Sequence, residues 1–201
     1  MNTLHLHIDQ MIKDEFRPKK LNLLLTFQVN CPGCFMYALP MFNQLHTKFS
    51  DQLGFIALST AFEDYELNTL QNTELLVSEG LLVGETKKAF GQRGETQLPY
   101  PLQFPIGMDK KLPQGEKTEL VENICQLNPN FPIWTEYDQD VLRKRVLDYL
   151  DQQDEISLTF TANQFRGTPS IALFNEQNEL LASWFGHVPL EGIIEKIASF
   201  N

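Results

Sequence analysis

The chain has 201 residues, 42% of them hydrophobic and 21% charged, which is enough apolar material to pack one large domain or two small ones. Asp and Glu total 26 against 16 Lys and Arg, a formal net charge of −10 that argues against nucleic acid and against an anionic membrane surface as partners. Cysteines number three, too few and too odd for a disulfide-stapled scaffold.

No apolar run approaches the ~18 residues needed to span a bilayer. Met1 to Arg17 lacks the basic-then-apolar order of a secretory leader. A cytoplasmic location is therefore the expectation. His5 and His7 stand two apart near a terminus expected to be mobile. Leu21 to Val29 is a near-continuous apolar run, the pattern of a strand buried on both faces. Cys31-Pro32-Gly33-Cys34 follows at once, and Phe35, Leu39, Phe42 and Leu45 then recur at helical spacing to about Phe49. A second apolar run, Gly54 to Ser59, completes a β-α-β unit over about 21–60, with parallel strands.

Further along, a helix is expected from Glu66 to Val77, broken by Gly80 and Gly84. Eight Gly and Pro residues between 91 and 115 mark a loop-rich stretch with one short strand around Leu102 to Met108. Two helices follow, Glu119 to Leu127 and Asp138 to Leu150, the second with Asp138 as its N-cap. Ser170 to Phe174 and Leu180 to Phe185 flank a polar five-residue break and read as a hairpin. A last helix begins near Pro189, with Leu190, Ile193, Ile194 and Ile197 inward.

Alone, a C-x-x-C is half a zinc site, a redox pair or chance. Structural zinc needs four ligands, and here no second pair exists, while His46 and His187 stand alone. No metal is expected. Placement favours redox chemistry. A cysteine at a helix N-terminus meets unpaired N–H groups and the positive end of the helix dipole, and both favour thiolate. Cys31, the exposed position, can attack a disulfide, and Cys34, one turn in and more buried, can resolve the mixed disulfide. Two buried cysteines filling core space are the alternative. Cys125 shares an apolar helix face with Leu120, Val121 and Ile124, which reads as packing. Arg143-Lys144-Arg145 reads as a solvated helix face rather than a binding patch.

These features resemble the thioredoxin-like superfamily. The resemblance rests on the strand, dithiol and helix with Pro40 inside it, on Phe165-Arg166-Gly167-Thr168-Pro169-Ser170 entering a strand, and on the hairpin ending at Gly186 before a final helix. It covers about 20–60 and 160–201. It implies an α/β fold with a central mixed sheet flanked by helices, in one domain whose core is 20–62 and 160–201 and whose insertion is about 63–159. Gln103 to Asp109 is similar to the strand inserted in the larger TlpA-like relatives and peroxiredoxins. The resemblance further implies a cis Thr168–Pro169 bond against the dithiol, with Gly186 and His187 beside it. Pro32, Gly33, Thr168, Pro169, Gly186 and His187 are then the substrate-contact candidates, with Cys31 and Cys34 catalytic. His187 either tunes the Cys31 thiolate or is a surface residue capping the last helix.

Three positions depart from the pattern. Asn30 stands where many members carry Trp, Leu25 where many thioredoxins bury an acid, and Pro40 falls nine residues after Cys31 rather than eight. The expected function is thiol-disulfide exchange with a protein dithiol or disulfide partner, or with a small disulfide, and no cofactor. The rivals are an adaptor or redox sensor docking a partner through the insertion, and a thiol peroxidase. The last is disfavoured because Leu24 and Gln28 stand where a peroxiredoxin places Pro and Thr or Ser. Oligomeric state is not readable.

Overall fold

The computed structural model describes residues 3–113 and 115–200. Among these residues, six strands form one mixed sheet in the order β1-β4-β3-β2-β5-β6. They are β1 (Ile8–Lys13), β2 (Leu21–Phe27), β3 (Leu53–Ser59), β4 (Ile106–Asp109), β5 (Ser170–Asn175) and β6 (Leu180–Phe185). Strands β2, β3 and β4 run parallel, and β1, β5 and β6 each run antiparallel to the strand they join. Every residue of β2 and β3 is buried, as a continuous apolar run demands of strands covered on both faces.

Alternation along β2 sorts its side chains onto two cores. Leu23, Leu25 and Phe27 face a large cluster with Phe35, Phe42, Leu45, Phe104 and Ile193, and Trp184 of β6 packs on its margin. Leu24 turns the other way and joins Leu4, Ile56, Leu58 and Phe174. A third cluster, with Leu120, Val121, Cys125, Phe131 and Leu150, lies within the helical segment before β5.

Among the described residues, seven α-helices accompany the sheet. They are α1 (Leu39–Phe49), α2 (Leu70–Glu79), α3 (Gly84–Gly91), α4 (Thr118–Gln126), α5 (Glu136–Leu150), α6 (Leu158–Ala162) and α7 (Leu190–Ala198). No helix among the described residues is long and apolar enough to cross a membrane.

Several expectations need correction. Residues 4–13 are not loose: Leu4 is buried, and β1 pairs with β4. The backbones of His5 and His7 are stitched to α6, His5 by two hydrogen bonds with the Asn163 side chain and His7 by two with the Thr159 hydroxyl. Helix α2 starts at Leu70 rather than Glu66, because the Asp64 carbonyl closes a separate turn on Leu67 and Asn68. The Thr69 hydroxyl then caps α2, accepting from the Asn72 N–H at 3.1 Å. Helix α5 is capped by Thr135 and not by Asp138. The Thr135 hydroxyl accepts from the Asp138 N–H and donates to the Asp138 carboxylate. Helix α3, with glycine at both ends, had no sequence signal.

Candidate active site

Register brings the site together. Thr26 of β2 pairs with Ser170 of antiparallel β5. The residues just beyond β2 and just before β5 therefore meet at one end of the sheet. Cys31 stands at the head of the helix that follows β2, and Thr168 stands two residues before β5. The Cys31 sulfur lies 3.5 Å from the Thr168 carbonyl. The Thr168–Pro169 peptide is cis, and the Pro169 carbonyl accepts from the Gly186 N–H at 2.9 Å. Gly186 has φ +77°, a conformation that suits glycine, and it holds the end of β6 beside this loop.

The two sulfurs sit in different surroundings. Cys31 is part-exposed, whereas Cys34 is fully buried. Both thiols are free. The Cys34 N–H donates to the Cys31 carbonyl at 3.0 Å and lies 3.3 Å from the Cys31 sulfur. Hydrogen bonding from Cys34 is the main influence that brings the Cys31 pKa down from 9.0 to about 7. Partial burial opposes it, and Thr168 and the N–H groups of Cys34 and Gly33 assist. Burial first, and then the neighbouring Cys31, push the Cys34 thiol well above its ordinary value. The polar groups reaching Cys34 from outside the pair are the Gln28 backbone and the Thr168 side chain. Thr168 Oγ1 in turn donates to Gln28 Oε1 at 3.1 Å.

Pro32 and Gly33 lie part-exposed between the cysteines, and Gly33 faces open space. His187 stacks on Tyr37, ring centres 4.6 Å apart, and makes no hydrogen bond to either sulfur among the described residues. The stacked pair borders a groove of about 370 Å³ that also touches Met36, Met41 and Val188. Among the described residues no three or more His, Cys, Asp or Glu side chains gather as metal ligands. Cys125 is buried in the third cluster, and burial raises its pKa.

No family model matches the chain, and no curated protein matches it. Solved structures do. A thiol-disulfide isomerase from Corynebacterium glutamicum aligns with a TM-score of 0.60 at 18% identity, over 98% of this chain and 94% of its own. A thioredoxin-like superfamily protein aligns with a TM-score of 0.56 at 21% identity, over 99% of this chain and 96% of its own.

The fold is thioredoxin-like.

Within a thioredoxin-like frame the three departures acquire physical explanations. The helix after the dithiol opens with a π-helical turn, Cys34–Ala38, in which the Leu39 N–H reaches the Cys34 carbonyl five residues back. A π turn absorbs one extra residue, so Pro40 falls one place late in sequence while still entering the first turn of α1. Pro40 has no N–H to offer the Phe35 carbonyl five residues before it. The Tyr100 hydroxyl donates to that carbonyl instead.

Asn30, in the place of the common Trp, is a clamp. Its N–H donates to Asn68 Oδ1 at 3.0 Å and its side-chain amide to Asp64 Oδ2 at 2.7 Å. Its Oδ1 accepts from the Glu85 N–H at 2.7 Å, capping α3, whose own N-cap Val83 has no side chain able to do so. A Cβ on Gly84 would lie 2.1 Å from that oxygen. Leu25 packs wholly within the apolar cluster, so no acid lies there. The roles of Tyr100, Asn30 and Gln28 escaped the sequence reading because their partners lie far away in the chain.

Proposed function

We propose that the protein is a thiol-disulfide oxidoreductase with Cys31 as nucleophile and Cys34 as resolving thiol. The observation that carries this is the asymmetry of the pair: an accessible sulfur drawn toward the thiolate beside a buried sulfur held as the thiol. The Cys31 thiolate attacks one sulfur of a substrate disulfide, forming a Cys31–substrate bond and expelling the other sulfur as thiolate. Cys34 then loses its proton and attacks Cys31 Sγ. The remaining substrate thiolate leaves, and a Cys31–Cys34 disulfide is formed. The substrate gains two electrons and the protein loses two. A second dithiol or thiol, donating by the same exchange, restores the pair, and no cofactor takes part.

In this reading Thr168, Pro169 and Gly186 present backbone to the substrate beside Cys31, while Pro32, Gly33 and His187 form the rim. The chain is one unit, with 63–159 inserted into a frame of 20–62 and 160–201. The thioredoxin-like fold supports the class of chemistry. The C. glutamicum neighbour is a thiol-disulfide isomerase, which agrees with exchange on protein disulfides. Reduction of insulin or of a small aromatic disulfide tests the proposal. We expect turnover by the wild type, none by Cys31→Ser, and a stable mixed disulfide with Cys34→Ser. A wild type that reduces no disulfide with any thiol donor, although its own Cys31–Cys34 bond is reducible, refutes it.

A further inference from the structure

Helix α5 carries a stripe that the fold covers only in part: Val141 and Leu142 are half-buried, and Leu142 also packs on the third cluster. Trp134, in the turn before it, lines a groove of about 410 Å³ with Asp138, Val141, Leu142 and Arg145. Trp134, whose ring meets Phe131 edge-on, and Tyr149 remain exposed, at 37% and 50%. At 3.6 residues per turn, positions 138, 141, 142, 145 and 149 of α5 fall in one stripe.

Charge along the stripe is arranged with a sign. Of the three successive cations on α5, Arg143 pairs with Glu122 and Asp140, and Lys144 pairs with Asp148. Arg145 has no ion-pair partner among the described residues. Asp138, two helical turns and about 10 Å away along the axis, takes only the Thr135 hydroxyl and N–H bonds that cap the helix. One end of the groove is therefore negative and the other positive, with Val141 and Leu142 between them.

We infer that this face docks a second copy of the same chain, with two α5 helices packed antiparallel about a two-fold axis passing between Val141 and Leu142. Asp138 and Arg145 are equidistant from that axis, so each Asp138 meets the Arg145 of the other copy and the pairing occurs twice. Trp134, in the extended turn before α5, and Tyr149, in its last turn, lie toward opposite ends of the stripe, so the antiparallel arrangement brings the Trp134 end of each copy toward the Tyr149 end of the other. Self-complementarity of this kind is what an isologous interface requires. Trp, Tyr and Arg are also the side chains that anchor interfaces most often. The inference is independent of the redox chemistry, because the face lies in the segment built on α4 and α5.

Sedimentation equilibrium of the full chain across the micromolar range tests it through charge exchange. We expect the wild type to dimerise. D138R alone sets Arg against Arg twice, and R145D alone sets Asp against Asp twice. Each is expected to raise the dimer Kd about tenfold or more. Mixing the two single variants restores complementary pairs and gives a heterodimer, and the double variant D138R/R145D dimerises again. Restoration shows at the same time that the variants are folded. A wild type that stays monomeric overturns the inference and leaves the face to a different protein. Single variants that dimerise as the wild type does, or a mixture and a double variant that stay monomeric, overturn it as well.

Discussion

Cys31 and Cys34 are the same chemical group three residues apart, and their surroundings drive their acidities in opposite directions. The consequence is measurable without a substrate. With a pKa of about 7, Cys31 is half thiolate near neutral pH, so its alkylation by iodoacetamide rises along a curve centred near pH 7. An ordinary thiol would give a curve centred near 9.0. In Cys34→Ala the strongest of the influences lowering the pKa is removed, and the midpoint moves upward. A wild-type midpoint near 9 would remove the basis for calling Cys31 the nucleophile. At this scale the two cysteines were legible, because spacing and position after a buried strand are local facts. Asn30 was not. Its importance lies in Asp64, Asn68 and Glu85, which no local pattern ties to it.

Among the elements, the π turn at Cys34–Ala38 and the loop holding Tyr100 form one device. The first leaves a carbonyl that proline cannot serve, and the second serves it. Tyr100→Phe keeps the ring and its packing but strands the buried Phe35 carbonyl. The variant should be less stable by about 1–3 kcal/mol in chemical denaturation. Unchanged stability would mean that water replaces the hydroxyl.

Asp109 closes β4 in a similar way. It is fully buried and accepts from the N–H groups of Thr159 and Phe160 at the start of α6 and from the Thr60 hydroxyl. Burial nevertheless dominates, and its pKa rises from 3.8 to about 6. A carboxyl raised on folding favours the fold fully below its unfolded value and loses that contribution as pH rises through the folded value. Relative to Asp109→Asn, the wild type should therefore lose up to ~3 kcal/mol of unfolding free energy between pH 4 and 7. Denaturation curves at several pH values check this, and a difference that is flat with pH contradicts it. Elements whose apolar period is internal, such as β2, β3, α1 and the β5–β6 hairpin, were legible. Strand β1 and helix α6 were not, for β1 is held by pairing with β4, and α6 by hydrogen bonds to His7, 152 residues away, and to Asp109, 50 residues away.

For the whole molecule, the sheet order puts β2 between β3 and β5, so the strand that leads into the dithiol is the one with the most support. That arrangement followed from the sequence only in outline. The pairing of β1 with β4, and the joining of residues 5–7 to 159–163, depend on contacts that the fold itself creates. The net charge of −10 repels copies at a distance, and the ion pairs inferred for α5 act locally against it. The chain holds two tryptophans, and they stand in different places. Trp184 is on β6 opposite Ile171 and packs against the main core, whereas Trp134 lines the groove beside α5. The molecule thus carries two native optical reporters. Emission from Trp184 follows loss of the sheet, emission from Trp134 follows dilution, and replacing either one by Phe isolates the signal of the other without an added dye.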